Sequence, residues 1–341
     1  MEQIALGTSG RITTRLGFGC SNLMGATNRR DSLRLLEAAF DAGIRHFDVA
    51  PRYGYGEAES CLGEFLQHHR GQITIATKYG TLPPKKSALI RIGRSVASPI
   101  VKHLPSLKQR LAKTADAATR NPIRPTFTAA QAQASLHSSL TALRTDHIDL
   151  WLLHEASASD LTDDALLTLL QSEVKNGTIG SFGIGSSADK VPALLAERPA
   201  YCRTLQYEWS ILNAPTPQAS TQSTKSFHIY HRALTQNFRT LHAALVNNQL
   251  LCQRWSVATG TDLSHAEALA RLMLKASLVI NPATILLFSS KDPAHIHANV
   301  QTAADPSLDV PAHQLYQLAQ SERHHLLPAN LSPSASLPEL R

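Results

Sequence analysis

The segment Gly43-Ile44-Arg45-His46-Phe47-Asp48-Val49-Ala50-Pro51-Arg52-Tyr53-Gly54-Tyr55-Gly56-Glu57-Ala58-Glu59 decides how this chain is read. A short apolar run ends at Asp48, a Gly-rich turn follows, and helical spacing resumes from Glu57 to Gln67. A carboxylate and a phenol thus stand five residues apart where a strand gives way to a loop. In parallel α/β folds this junction is where chemistry collects.

Two other runs end in groups that complement this pair. Ile73-Thr74-Ile75-Ala76-Thr77-Lys78 closes on a lysine, and Ile148-Asp149-Leu150-Trp151-Leu152-Leu153-His154 closes on a histidine. Singly, each group has an ordinary structural use: Asp48 a helix cap, Tyr53 a packed aromatic, Lys78 a solvated strand end, His154 a satisfied core histidine. Four at or just beyond strand ends form a pattern suited to proton transfer. Reducing a carbonyl by hydride leaves an alkoxide that must be protonated, and a phenol of pKa about 10 needs help to do so. An ammonium such as Lys78 should lower the Tyr53 pKa, Asp48 should keep Lys78 charged and aimed, and a neutral His154 can donate to the same oxygen.

Further apolar runs alternate with amphipathic stretches, as βα units require. The expected strands are Leu16 to Gly19, Ile44 to Asp48, Ile73 to Lys78, Ile148 to His154, Ile179 to Gly185, Thr204 to Tyr207, Phe227 to Tyr230 and Ile285 to Phe288. Helices are expected over Arg30 to Ala42, Glu57 to Gln67, Ala129 to Leu143, Asp163 to Lys175 and Ser264 to Leu278, the last with Ser264 and Glu267 as a capping box. Eight strands predict a single (β/α)8 TIM-barrel domain over residues 1–341. A long insertion after strand three (about 80–127) has its own helical signal near Ser106 to Ala118, and would wall or cover the site. A loop is expected from Asn213 to Ser226. The extension 304–341 carries one helix, Ala312 to Ser321, before a fraying Pro/Ser-rich end.

Composition bounds the rest. No basic segment followed by an apolar run opens the chain, and no window approaches 18 uninterrupted apolar residues, so neither export nor a membrane span is expected. Cys20, Cys61, Cys202 and Cys252 lack CxxC spacing, and the 16 histidines form no zinc pattern, so a cytoplasmic protein without a metal is expected. Much of the net charge of +7 sits between Lys85 and Arg124, where ten basic residues face Asp116 alone. With no finger, RNA-binding strand signature or aromatic interleaving, that segment reads as a solvated basic insertion rather than a nucleic-acid surface. Nothing in the sequence specifies an oligomeric state.

The segment from Asp48 to Glu59 resembles the signature of the aldo-keto reductase family, and Lys78 and His154 fit that family's other two catalytic positions. The resemblance implies a nicotinamide cofactor, with tyrosine as general acid and base. It also separates Gly17-Phe18-Gly19-Cys20-Ser21-Asn22 from a Rossmann fingerprint, whose third Gly is Asn22 here. In the family the backbone after the first strand touches cofactor, which nominates Gly19, Cys20 and Ser21. A serine and an asparagine after strand five hold the nicotinamide carboxamide; Ser186 matches and Ser187 replaces the asparagine. Gln206 matches the glutamine gripping the same group, and Tyr230 corresponds to the aromatic that stacks on the ring, although His231-Arg232 follows where Ser-Pro is usual.

The segment Leu287 to Asn299 resembles the loop and helix that bind the adenosine phosphates, nominating Ser289, Ser290, Lys291 and Asn299. NADPH-preferring members often place Lys and Arg at what are here Ser289 and His295, and Asp292 would oppose a 2′-phosphate. NADP is the expected cofactor and NAD the second choice. The implied substrate is a small carbonyl compound or sugar. An aldose 1-dehydrogenase forming a lactone is the rival reaction, and a cofactor-sensing barrel without turnover, as in potassium-channel β subunits, the rival class.

Overall fold

The eight expected strands all form, with ends displaced by at most two residues. The structure is a computed structural model that describes residues 1–81, 126–213 and 226–326. A hairpin comes first, β1 (Gln3–Ala5) against β2 (Ile12–Thr14). The barrel strands are β3 (Leu16–Gly19), β4 (His46–Asp48), β5 (Thr74–Tyr79), β6 (Ile148–His154), β7 (Ile179–Gly185), β8 (Thr204–Glu208), β9 (Phe227–His231) and β10 (Thr284–Phe288). They pair in parallel around a closed ring in which β10 meets β3, so this is a (β/α)8 TIM barrel.

Helices α1 (Arg29–Asp41), α2 (Ala58–His69), α3 (Ala129–Leu143), α4 (Asp164–Asn176) and α5 (Val191–Glu197) follow β3 to β7. After β9 come three, α6 (Thr235–Asn247), α7 (Gln249–Thr259) and α8 (Ala266–Ile280), and after β10 comes α9 (Pro293–Ala304). The C-terminal α10 (Asp309–Ser321) packs on α7 and α8, where Lys275 and Asp309 pair at 2.7 Å. The short α11 (Arg323–Leu326) ends the described chain. The expected insertion and its helical signal, nearly all of the expected 213–226 loop, and the Pro/Ser-rich end lie outside the described residues. Among the described residues, no helix is long and apolar enough to cross a membrane.

One expectation at a helix start fails. The N-cap of α8 is His265, without a side-chain cap. Ser264 instead turns back on Asp262, whose Oδ1 accepts from its amide at 3.0 Å and its hydroxyl at 2.6 Å. A local Asx turn has outcompeted the capping box.

Strand alternation sorts the barrel side chains into two layers. Outward residues such as Phe18, Phe47, Ile75, Trp151, Phe182, Tyr207 and Tyr230 join the helices in the main core. Inward residues Ala76, Leu150, Leu152, Ile229, Ile285 and Leu287 form a second, smaller core inside the ring, which Leu6 of the β1–β2 hairpin joins. That hairpin has no counterpart in the sequence reading, because three-residue strands carry too little alternation to register.

Candidate active site

The register brings the chemistry together. Gly19 lies beside Asp48, Asp48 beside Ala76, His154 beside Gly185, Gly185 beside Gln206 and Glu208 beside His231, so all these positions belong to the C-terminal rim. Lys78 is two residues beyond inward-facing Ala76, and His154 two beyond Leu152, which turns both side chains into the ring.

Asp48 and Lys78 are 3% and 2% exposed. Lys78 Nζ donates to Asp48 Oδ1 at 2.5 Å and to Val49 O at 3.1 Å, while Gln206 Nε2 donates to Asp48 Oδ2 at 2.7 Å. Both carboxylate oxygens are therefore satisfied from two other strands. Burial alone would push Lys78 down, but the Asp48 charge and the phenol of Tyr53 outweigh it and raise the lysine pKa.

Tyr53 begins a turn, Tyr53–Gly56, in which Gly54 and Tyr55 both hold φ of 57°. A Cβ on Gly54 would stand 2.4 Å from Leu23 O, so the loop runs hard against the chain after β3. This wedges the Tyr53 ring with Lys78 Nζ 5.2 Å from its centre and the His154 ring 6.3 Å away, edge-on at 87°. The expected lowering of the Tyr53 pKa does not follow. Burial raises it more than the Lys78 charge, itself offset by Asp48, pulls it down. The His154 pKa lies well below the ordinary value, first through burial and then through the charges of Lys78 and Arg52, so the ring is neutral. Its Nδ1 meets the Thr81 hydroxyl at 2.8 Å.

Asp48, Tyr53, Lys78 and His154 line one pocket of about 660 Å³. A carboxylate–ammonium pair buried beside a protonated phenol and a neutral imidazole is equipped to move one proton to or from an oxygen atom.

Residues 15–254 match the model of the aldo/keto reductase family. The chain belongs to the aldo/keto reductase family. It is 43% identical over 90 residues to a pyridoxal 4-dehydrogenase of Microbacterium luteolum, a match covering 26% of each protein. It is 32% identical over 189 residues to a D-threo-aldose 1-dehydrogenase of a Pseudomonas species, covering 53% of each. The chain thus spans about a quarter to about half the length of these curated relatives. In fold it is similar to a glycerol dehydrogenase of Gluconobacter oxydans, with a TM-score of 0.66 and 17% identity over 98% of this chain and 99% of that one.

Of the aldo/keto reductase cofactor positions read from the sequence, Gly19, Ser21, Ser186, Ser187, Gln206, Ser289 and Asn299 line the same pocket. Four others do not. Cys20 is fully buried, its thiol directed at Phe18 O. Ser290 is folded under its own turn, where its Oγ accepts from the Asp292 amide at 3.1 Å, and Lys291 is exposed beside it. Tyr230 faces outward, stacked on Trp209 with ring centres 5.4 Å apart. Two residues beyond inward-facing Ile229, it is His231 that enters the pocket. The α9 N-terminus is also self-capped, since Asp292 Oδ1 accepts from Ala294 N at 2.9 Å.

The sequence reading missed the polar rim as well. Glu155, Glu208, His231 and Arg232 line the mouth, with Arg232 and Glu208 in a close ion pair. His231 was within reach of the alternation that places Gln206, whereas Thr81 depends on a turn geometry that sequence does not express.

Proposed function

We propose that this chain is a nicotinamide-dependent oxidoreductase acting on a carbonyl/alcohol pair, with Tyr53 as its general acid and base. The observation that carries this reading is the buried Asp48–Lys78 pair beside Tyr53, at the floor of a pocket that His154 also lines. The pocket fits the cofactor's carboxamide. Gln206 Nε2 is committed to Asp48, which leaves its Oε1 to accept an amide N–H, and a Cβ at Gly185 would crowd that oxygen at 3.2 Å. Ser186, Ser187 and Gln206 would hold the nicotinamide, with Gly19, Ser21, Ser289 and Asn299 along its extension. The bound cofactor supplies the hydride.

The chain's own groups handle the proton. Tyr53 O–H donates to the alkoxide, Lys78 stabilises the phenolate left behind, and His154 donates to the same oxygen. The raised Tyr53 pKa keeps the phenol protonated at neutral pH, which suits reduction. Reductive turnover is expected to fall as pH rises into the range where the phenol ionises, and oxidative turnover to climb over that range; pH–rate profiles in both directions check this.

The second reading is an aldose 1-dehydrogenase using NAD, favoured by two observations. Glu155, Glu208 and His231 surround the mouth with groups that recognise hydroxyls, and the carboxylate of Asp292 caps the α9 N-terminus where a 2′-phosphate would be repelled. NADP remains the family-implied cofactor. The four free thiols suit the cytoplasm.

The test is a tryptophan-fluorescence titration with NADPH and NADH, then turnover on a generic aldehyde and on free aldoses. Tyr53→Phe is expected to bind cofactor as the parent does and to lose about 10²–10⁴-fold in kcat. Near-parental turnover with cofactor bound would remove Tyr53 from its role, and binding without any turnover would leave a sensing barrel.

A further inference from the structure

A neutral histidine can donate a hydrogen bond into the pocket only from the nitrogen that carries its proton. His154 has Nδ1 engaged by Thr81 Oγ1 at 2.8 Å, so Nε2 is the nitrogen left for the pocket. The Thr81 side chain is itself buried, 3% exposed, and His154 Nδ1 is its only hydrogen-bond partner among the described residues. If Nδ1 carried the proton and donated it, the hydroxyl hydrogen of Thr81 would have no acceptor there. Nε2 would then present a lone pair to the substrate oxygen.

An orphaned buried donor is costly enough to disfavour that arrangement by about 10-fold or more. With Thr81 O–H donating to Nδ1, the hydroxyl and Nδ1 satisfy each other and the proton sits on Nε2.

We propose that Thr81 is a positioning residue that fixes His154 as the Nε2–H tautomer, the form able to donate to the reacting oxygen. The backbone is built to deliver it. Gly80 holds φ of 132°, and a Cβ there would lie 2.4 Å from His154 O and 2.7 Å from the Phe127 ring. The chain leaving β5 therefore turns in direct contact with the end of β6, a path open to glycine and closed to larger residues. Phe127 backs this turn, and Tyr79 O–H fastens to Thr126 O at 2.6 Å. The charges of Lys78 and Arg52 help keep the ring neutral, the state in which a tautomer choice exists.

This inference rests on the proposed role of His154, but its test does not need turnover. In protein labelled with ¹⁵N-histidine, the ring nitrogen shifts report the tautomer directly, with His154 assigned by the signal lost in His154→Gln. The parent is expected to show Nε2–H, Thr81→Val a mixture with Nδ1–H, and Thr81→Ser the parental pattern. Kinetically, Thr81→Val should lose roughly 10- to 100-fold in kcat, with the NADPH dissociation constant within about twofold of the parent and rescue by Thr81→Ser. An Nδ1–H signal in the parent overturns the proposal even if no variant folds. An unchanged tautomer in Thr81→Val also overturns it. Should all variants and the parent lack turnover while the shifts behave as expected, the failure belongs to the enzymatic reading and the assignment of Thr81 stands.

Discussion

Lys78 illustrates how much a single side chain holds in this barrel. Its ammonium is the sole cation on Asp48 among the described residues, and the only other group bound to that side chain is the Gln206 amide. Lys78→Met would leave a buried carboxylate without its counter-charge, which costs about 3–5 kcal/mol. Urea unfolding is expected to show a loss of that order, with much of it recovered in the double variant Asp48→Asn/Lys78→Met, where no unpaired charge remains. A single variant as stable as the parent would mean the pair contributes nothing to folding. Asp48, Lys78 and His154 were legible in sequence because each closes an apolar run, and Tyr53 because it follows Asp48 in the Gly-rich turn. The sign of the Tyr53 shift was not, because it depends on how deeply the ring is buried, and that is decided by Gly54 and Leu23 meeting across two loops.

At the scale of elements, the hydrophobic pattern located β3, β6 and β7 to the residue and missed the β1–β2 hairpin, whose strands are too short to alternate. The hairpin nonetheless inserts Leu6, 1% exposed, among Ala76, Leu150 and Ile229 at the inner core. Leu6→Ala is expected to destabilise the fold by about 2–5 kcal/mol, read by thermal or urea unfolding, while cofactor affinity stays unchanged because the rim is untouched. Strand alternation also separates Tyr230 from His231: a one-residue offset carries a ring from pocket to outer core, so a family match along the sequence does not by itself say which ring faces inward. The turn after β5 has its own test. Gly80→Ala meets backbone at 2.4 Å, and is expected both to destabilise the protein and to separate Thr81 from His154, seen as the same tautomer mixture as Thr81→Val.

For the whole molecule, histidines whose pKa the fold lowers contribute to the response to acid. His46 and His231 are lowered to about 4, in each case first by burial. Unfolded, they take up protons near pH 6.5; folded, only near 4. Between those values the unfolded chain binds more protons, so stability falls as pH falls, by about 1.4 kcal/mol per pH unit for each histidine, and this decline levels off below about 4. His147 works in the opposite sense and above this window: its bond to Asp149 raises its pKa, so its contribution is lost as pH rises. Urea midpoints at pH 7, 6 and 5 are expected to decline, less steeply in His231→Gln; an equal slope would mean that His231 protonates freely in the folded state. The two ends of the segment that leaves after β5 are held beside each other, by Tyr79 on Thr126 and by Gly80 against Phe127. Loop closure grows costlier only slowly with length, about 0.6 kcal/mol per doubling. The barrel therefore offers a ready socket at this point: a transplanted segment of different length and charge can be seated there without the strands being redesigned.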